Sequence, residues 1–290
     1  AMRAGQVDVL LIHGANPLHD LPQELGVAEA IRKVPLVVSM GSYADETSEL
    51  AHLILPDHTP LEQWGDYRPA PHVHSLQQPS MTPVVDSRQS ADVLLALAKQ
   101  AGGKPAAAFP QENFQAYLKD AWREEYGKNA SVDFEAFWNE SLRRGGYWPP
   151  QESLAAAKET LAAGALSELA IASPQTGAGE FHLHAYPSSR YYDGRGANRP
   201  WLHEIPDPIT NITWDSWVEM HPETAKGLGA VEGDIVIVQS AAGMVEVPAY
   251  LYEGIRPDTV AMQLGLGHTA FGRYAKDLGV NITCLLYTSP

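Results

Sequence analysis

Apolar residues occur along the chain in short runs, and their spacing changes twice. Residues 7–17, VDVLLIHGANP, predict a buried strand followed by a turn, and residues 35–41 and 53–56 predict two more strands. Helical spacing in residues 22–34 and 45–53 separates these strands. Strand, helix and strand in alternation indicate a parallel sheet with crossover helices. Residues 90–103 then form an amphipathic helix that ends in Gly-Gly.

The pattern becomes helical in the middle of the chain and alternating near its end. Residues 112–127, 133–146 and 151–166 have helical composition and spacing. Residues 168–173 and 180–186 are strand-like, and residues 232–252 alternate around Ala-Ala-Gly, which predicts a hairpin. A short helix is predicted at 221–230. The fold class is therefore α/β: a partial parallel sheet domain over 1–103, a helical connector over 104–165, and a compact β-barrel domain over 166–283.

Composition limits the partners of this protein. The 290 residues suffice for about two domains. The net charge of -15 argues against nucleic acid or an anionic membrane surface as the main partner. No apolar run reaches the length of a membrane span, and the first residues lack the features of a signal peptide. The only cysteine, Cys284, allows no disulfide, zinc site or iron–sulfur cluster within this chain.

Three loops follow the predicted parallel strands, where α/β sheets bind ligands: His13–Asn16, Met40–Glu46 and Pro56–Thr59. The first loop suits either an anion near free N–H groups or a simple β-turn. Asp45 and Glu46 suit either a purine or ribose edge or a helix cap. The third loop and the residues after it carry a cluster of Asp57, His58, Glu62 and Asp66. Their spacing does not fix them on one face, so we expect a solvated loop.

Two later segments have the composition of a binding site. Residues 188–208, SSRYYDGRGANRPWLHEIPDP, concentrate arginine in an acidic chain, and Arg forms paired hydrogen bonds with phosphate. The alternative is that these arginines offset surface acids. Residues 265–275, GLGHTAFGRYA, suit either a tight turn or close backbone approach to a polar ligand. His182 and His184 alternate on one strand face, but no third metal ligand accompanies them.

The order of these segments resembles the C-terminal half of a molybdopterin oxidoreductase large subunit of the dimethyl-sulfoxide-reductase type. The segments KVPLVVSM and DETSELAHLILPDHTPLEQWGD resemble the stretch before that family's last domain. WVEMHPETAKGLGAVEGDIVIVQSAAGMVEVPAYLYEGIRPDTV resembles its dinucleotide-binding domain, a double-psi β-barrel. NRPWLHEIPDPITNITWDSWVEMHP and GHTAFGRYAKDLGVN are most similar to the molybdopterin-like subunits of quinone-linked respiratory complexes, such as alternative complex III and the quinone reductase complex. Members of that branch can lack the cofactor.

The resemblance implies a bis-molybdopterin guanine dinucleotide, with its molybdenum, between sheet and barrel. Pyrophosphate and guanine would lie at the strand-end loops, and a pterin at the arginine-rich loop and the glycine-rich turn. The residues implied to bind this cofactor are His13, Gly14, Asn16, Gly41, Asp45, Glu46, Arg190, Asn198, Arg199, Trp201, His203, Gly267, His268 and Thr269. No catalytic residue and no protein ligand to the metal is predicted in this chain.

Two departures from the family limit what the chain does by itself. The N-terminal cysteines of the iron–sulfur cluster and the segment with the metal ligand are absent, so the chain alone is expected not to catalyse the family's reaction. Residues 284–290, the end of ITCLLYTSP, resemble translated non-native sequence and are expected to be a non-native tail.

Two functions follow from the resemblance. In the first, the chain is part of an oxidoreductase catalytic subunit that works with an iron–sulfur electron-transfer subunit and a membrane quinone-reactive subunit. In the second, it is a cofactor-free scaffold in a membrane-associated quinone oxidoreductase complex. Either implies a periplasmic or membrane-associated location. A third hypothesis, an unrelated α/β ligand-binding protein, leaves the order of matching segments unexplained.

Overall fold

The computed structural model describes residues 1–70, 72–127, 132–148 and 179–286. The chain divides into two compact units, one made of residues 1–54 and 172–290 and the other of residues 55–171. The predicted helix at 151–166 and the predicted strand at 168–173 lie outside the described residues. Among the described residues, no helix is long and apolar enough to cross a membrane.

The first unit begins with a parallel sheet, as the apolar runs predict. Strands β1 (Val9–His13) and β2 (Leu36–Gly41) pair in parallel, from Val9 opposite Leu36 to His13 opposite Met40. Strand β3 (Leu53–Pro56) begins in this unit and gives the order β1-β2-β3. A small apolar core lies against the sheet and comprises Ile12, Ile31, Val34 and Val37.

The connections in this sheet are shorter than the helices predicted for them. The predicted helix over 22–34 is a 3-10 turn (Gln23–Leu25) followed by helix α2 (Val27–Ile31). Gly26 separates the two with a left-handed φ of 56°, a conformation that glycine adopts without steric cost. The predicted helix over 45–53 is one 3-10 turn, Ser48–Leu50, because His52 already hydrogen-bonds Val37 of β2 through its backbone N–H and its ring.

The second part of this unit is a five-stranded mixed sheet in the order β7-β11-β8-β10-β9. The predicted hairpin is confirmed, since β9 and β10 pair antiparallel across Ser240–Gly243. Strand β11 lies parallel to β7 and antiparallel to β8. The strands are β7 (His182–Pro187), β8 (Val218–Met220), β9 (Ile235–Gln239), β10 (Met244–Leu251) and β11 (Thr259–Leu264). The double-psi form of this domain stays a prediction.

Short helices and one apolar core complete this unit. Helix α8 is confirmed: His221 caps it through a bond from the Glu223 N–H at 3.2 Å, and Gly229 ends it with a φ of 74°. Val218, Val247, Met262, Ile282 and Leu285 are among the core residues that are almost fully buried. The helices are α1 (Pro17–Asp20), α7 (Pro200–Glu204), α8 (Pro222–Leu228) and α9 (Gly272–Ala275), and 3-10 turns cover Met2–Ala4 and Ile282–Leu285.

The second unit combines helices with a small antiparallel sheet. The helices predicted in 90–103, 112–127 and 133–146 are confirmed, and an aromatic core forms around Trp122 and Trp138. The sheet β4-β5-β6 was not predicted, because its strands carry polar residues without clear apolar alternation. The elements are β4 (Gly65–Ala70), β5 (Val73–Gln77), β6 (Gly146–Tyr147), α3 (Ser90–Ala101), α4 (Gly103–Ala108), α5 (Phe114–Gly127) and α6 (Phe134–Arg144).

Candidate functional site

The loops that follow β1 and β2 are joined by Asn16. Its Nδ2 donates to Glu46 Oε2 at 2.6 Å, and its Oδ1 accepts from the backbone N–H and the hydroxyl of Thr47 at 3.2 and 2.6 Å. Gly14 turns the chain toward Asn16 with a φ of 59°. Two predicted site loops, which belong to neighbouring parallel strands, are therefore fixed to each other at the carboxyl edge of the sheet.

Glu46 joins these loops to the turn that follows β11. Its Oε1 accepts from the backbone N–H groups of Thr269 and Ala270 at 2.6 and 3.1 Å, and His268 Nδ1 lies 3.2 Å away. Burial disfavours the charged form of this carboxylate, but hydrogen bonds from His268 and Asn16 outweigh it and hold the Glu46 pKa well below its usual range. Four predicted site residues from three separate segments thus meet in one network.

The other predicted residues of the strand-end loops have local roles. Asp45 Oδ1 accepts from the Ser48 N–H at 2.7 Å, so the capping alternative holds for this residue. Burial raises the Asp45 pKa against the effect of that bond. Gly41 ends β2 with only an ordinary contact at the position of a Cβ, and His13 is exposed at the end of β1.

At the glycines of the turn, the space that a Cβ would fill is occupied by other atoms of the chain. Gly267 has a φ of 80°, and a Cβ there would lie 1.9 Å from the backbone nitrogen of Asn281. Gly265 has a φ of 113°, and its Cβ would lie 2.9 Å from Tyr191 Cβ. Close backbone approach at these positions therefore serves the packing of residues 265–270 against the protein itself.

Two stacked imidazoles lie at this turn, and one of them, His268, belongs to it. The rings of His19 and His268 are 3.6 Å apart and inclined by 6°, and the two residues are 3% and 2% exposed. His268 Nε2 is buried without a hydrogen-bond partner among the described residues. A Cβ on Gly194 would lie 2.8 Å from this nitrogen, so only glycine fits at that position.

Arg190 is a buried cation with an incomplete set of partners. The residue is 9% exposed, and its Nη1 donates to the Ile205 carbonyl at 2.8 Å. Its Nε and Nη2 have no partner in the part of the chain that the structure describes. The guanidinium lies 4.9 Å from the Tyr191 ring centre and 6.0 Å from that of Trp217. Because each unpaired buried N–H group costs about 1–3 kcal/mol, these donors are suited to an acceptor from a ligand.

His203 supports the residues around Arg190. It is fully buried and stacks on Trp214 at 4.6 Å. Its Nε2 faces the Ala197 carbonyl and must donate, so its Nδ1 accepts from the Tyr191 hydroxyl at 2.9 Å. Burial lowers the His203 pKa, which keeps this neutral tautomer. The residue acts as a structural bridge with no free ring nitrogen.

The remaining predicted residues of the arginine-rich loop lie farther out. Trp201 on α7 is 77% exposed, and Arg199 at the start of α7 is also exposed. Asn198 holds the segment of Tyr274, whose N–H donates to its Oδ1 at 3.1 Å. The structure thus separates the predicted set into a buried group around Arg190 and an exposed aromatic and cationic pair at α7.

Sequence reasoning missed His19, Tyr191 and Trp217. Tyr191 follows Arg190 directly in the arginine-rich loop, and His19 lies three residues after Asn16, so both were close in sequence to predicted residues. Trp217 is brought to Arg190 by tertiary packing. No group of three or more His, Cys, Asp or Glu suited to a metal occurs among the described residues. The arrangement offers N–H donors, a cation and aromatic faces, which suits an anionic ligand that contains rings.

Two family models match the chain. The model "Molybdopterin oxidoreductase" matches residues 1–100, and "Molydopterin dinucleotide binding domain" matches residues 194–290. The first contains Asn16 and Glu46, and the second contains His268 and Thr269. The Glu46 network therefore connects the two matched regions.

Curated relatives agree with these models. The menaquinone reductase molybdopterin-binding-like subunit of Nitratidesulfovibrio vulgaris strain Hildenborough is 29% identical over 97% of this chain and 39% of its own length. The periplasmic nitrate reductase of Desulfovibrio desulfuricans is 26% identical over 90% of this chain and 38% of its own length. An arsenate respiratory reductase subunit of Chrysiogenes arsenatis is 42% identical over 30% of this chain and 10% of its own length.

The fold also occurs in a solved structure. Acetylene hydratase from Pelobacter acetylenicus matches 97% of this chain and 41% of its own chain with a TM-score of 0.63 at 16% identity. At that identity the likeness shows the fold alone, a mixed α/β architecture. This chain spans about two fifths of the length of the relatives that it matches along its whole extent.

Proposed function

Because the chain belongs to the molybdopterin oxidoreductase family, we propose that it holds bis-molybdopterin guanine dinucleotide within a larger oxidoreductase subunit. Its own contribution is to bind and orient the dinucleotide, while the bound group supplies redox chemistry at molybdenum. The catalytic groups and the metal ligand would belong to chain segments beyond the 290 residues.

The observation that carries this proposal is the unsatisfied guanidinium of Arg190. Two of its donor nitrogens are buried without partners, and no carboxylate forms an ion pair with it among the described residues. A folded chain tolerates such a group when a ligand supplies the acceptors. A phosphate or a pterin oxygen accepts from the two neighbouring N–H groups of an arginine in the paired geometry that this side chain favours.

The other predicted residues fit the same class of ligand. Arg199 and Trp201 present a cation and a ring face at α7, and Thr269 is exposed. Gly14 has open space at the position of a Cβ, which permits an anion to approach the backbone. Glu46, His268 and His203 are engaged within the protein, so their proposed role is to position these contacts.

In the complete protein, we expect electrons to pass to or from an iron–sulfur cluster in the N-terminal part or in a partner subunit, and on to a membrane quinone-reactive subunit. The relatives named as a menaquinone reductase subunit and as nitrate reductases favour such multisubunit chemistry. A periplasmic or membrane-associated location accompanies this proposal. We also propose the domain limits 1–103, 104–165 and 166–283, the double-psi form of the barrel, and a non-native tail at 284–290.

A scaffold without cofactor is the second candidate. It is favoured by one observation, since the relative that covers 97% of this chain is named "molybdopterin-binding-like". In that case the chain would keep the fold and join an iron–sulfur partner. The buried donors of Arg190 favour the cofactor-binding proposal, because a scaffold would leave them without acceptors.

Binding of guanosine diphosphate to the 290-residue chain tests the site directly, since this probe carries the guanine and the pyrophosphate. Titration calorimetry should detect binding that Arg190→Gln weakens at least about tenfold, the loss of roughly one charged hydrogen bond. Arg256→Gln is the matched control, because Arg256 is 78% exposed and paired with Asp258. Equal affinity in all three proteins would contradict the role of Arg190.

The complete subunit, purified from cells supplied with molybdate, separates the two candidates. Molybdenum near one equivalent with a fluorescent oxidised pterin is expected for the cofactor-binding protein. Absence of both would establish the scaffold.

A further inference from the structure

His19 and His268 have identical side chains, yet their hydrogen-bond partners demand different protonation. His19 Nδ1 lies 3.1 Å from Asp20 Oδ1, and its Nε2 lies 3.1 Å from the Leu266 carbonyl oxygen. A carbonyl and an ionised carboxylate only accept, so both ring nitrogens of His19 must donate. The geometry therefore corresponds to an imidazolium.

His268 is satisfied by a single proton. Its Nδ1 faces Glu46, whose carboxylate only accepts, so this nitrogen donates. Its Nε2 lies against the backbone of Gly194 and has no acceptor among the described residues, so a proton there would be a buried donor without a partner. The neutral tautomer with its proton on Nδ1 fits this position.

We propose that His19 is a positioning residue for the turn of residues 265–270, and that the stacked pair carries one positive charge, located on His19. The charged ring donates to the Leu266 carbonyl, while Glu46 accepts from the Thr269 and Ala270 N–H groups. What this turn contacts rests on the proposed function, whereas the charge and the hydrogen bonds of the pair do not.

The backbone of His19 adds to the same connection. Its carbonyl accepts from Asn281 Nδ2 at 2.9 Å and from the Thr283 hydroxyl at 3.1 Å. Residue 19 therefore connects the segment after β1 to the end of the segment that follows β11 and to the 3-10 turn Ile282–Leu285. A single buried position fixes three places in the second matched region.

The charged groups around the stack face its two rings differently. Asp20 lies beside His19 on α1, whereas Glu46 contacts His268 and Asp45 interacts electrostatically with His268. Arg195 from the arginine-rich loop interacts with Asp20 but is itself paired with Asp193 at 2.6 Å. The location of the charge on His19 follows from the acceptors at both of its ring nitrogens, since His268 has an acceptor at Nδ1 alone among the described residues.

The experiment is nitrogen-15 NMR of histidine-labelled chain at neutral pH without any ligand, so its outcome is independent of the cofactor. His19 should show two protonated ring nitrogens, and His268 should show a protonated Nδ1 with an unprotonated Nε2. An unprotonated ring nitrogen on His19 near pH 7 would overturn the proposal.

A second measurement tests the positioning role. His19→Phe keeps a flat ring in the stack but removes both donors, so amide hydrogen exchange of Thr269 and Ala270 should accelerate by at least about tenfold. His184→Phe is the control, since His184 is exposed and stacks on Tyr186, away from His19 and His268 in the sequence. Unchanged exchange in a folded His19→Phe chain would refute the role, and a chain that fails to fold leaves the NMR result on the wild type decisive.

Discussion

A single carboxylate, that of Glu46, satisfies four donors in the first unit. Asn16, His268 and two backbone N–H groups of the turn at 265–270 all direct hydrogen atoms to it. Charge-assisted hydrogen bonds of this kind are stronger than neutral ones, and leaving their donors unpaired is costly. The residue therefore fixes the relative position of strand-end loop and turn, whatever ligand lies beyond them.

Glu46→Gln should reveal this role through pH. The folded-state pKa of Glu46 is depressed below the ordinary value of 4.5, so its contribution to the free energy of unfolding is present above that value and is lost as pH falls through the folded pKa. The variant should lose about 2 kcal/mol at pH 7 and show a weaker decline in acid. Urea unfolding across a pH series measures both, with the exposed Glu253→Gln as control. Parallel pH profiles for wild type and variant would contradict the assignment.

Arg190→Met separates binding from stability at the buried guanidinium. An apolar side chain of similar length removes two unpaired donors, so the unliganded chain should be as stable as the wild type or more stable by about 1–2 kcal/mol. Affinity for guanosine diphosphate should nevertheless fall. Thermal unfolding with and without the probe measures both effects. A large loss of stability in the unliganded variant would show that Arg190 is structural.

At the scale of elements, the turn after β11 combines two kinds of glycine constraint. Gly267 needs both a left-handed φ and the absence of a Cβ, because Asn281 occupies that space. Gly14, after β1, needs only the left-handed φ, since nothing lies within 4 Å of its Cβ position. The composition of the two segments does not distinguish these cases.

Alanine at the two glycines should therefore have unequal effects. Gly14→Ala should cost only the left-handed conformation, about 1 kcal/mol. Gly267→Ala should cost more than about 3 kcal/mol, because a Cβ 1.9 Å from a backbone nitrogen forces residues 280–281 to move. Denaturant midpoints of the two variants make the comparison. Equal losses would mean that the turn relaxes freely.

At the scale of the whole molecule, the net charge of the chain and the charge of its candidate site have opposite signs. The chain has a net charge of -15, yet its candidate site presents Arg190, Arg199 and backbone N–H groups. An anionic ligand is therefore repelled at long range and attracted only at contact. Capture of a dinucleotide by such a chain depends on local donors, since the overall field opposes it.

This opposition predicts an unusual salt dependence. Between about 10 and 150 mM salt, the association rate of guanosine diphosphate should rise, because the Debye length falls to about 8 Å and screens the acidic surface. Stopped-flow tryptophan fluorescence measures the rate. A steady fall with salt would show that the arginine-rich loop dominates the field, and uncharged guanosine is the control ligand.

Local pattern was sufficient for much of the architecture. Strands β1, β2 and β3, the hairpin and helices α3, α5, α6 and α8 follow from periodicity and glycine signals in adjacent residues. Prediction failed where polar strands carried no alternation, as at β4 and β5, and where Gly26 interrupted helical spacing. The loops after β1 and β2 were also correctly located, since the parallel pairing of these strands places both loops at one edge of the sheet.

What the sequence by itself determined was the order of elements, the acidic character of the chain and the segments that carry polar donors. Only the tertiary structure decided which donors are free. Glu46 meets His268 across 222 residues, and His19 meets Leu266 across 247. Side chains of one type therefore differ in their partners. The Arg190 guanidinium is buried with two nitrogens unpaired in the described part of the chain, whereas the Arg195 guanidinium is paired with Asp193. The reason is physical: periodicity records which face of an element is buried, whereas hydrogen-bond partners depend on where the folded chain brings distant backbone together.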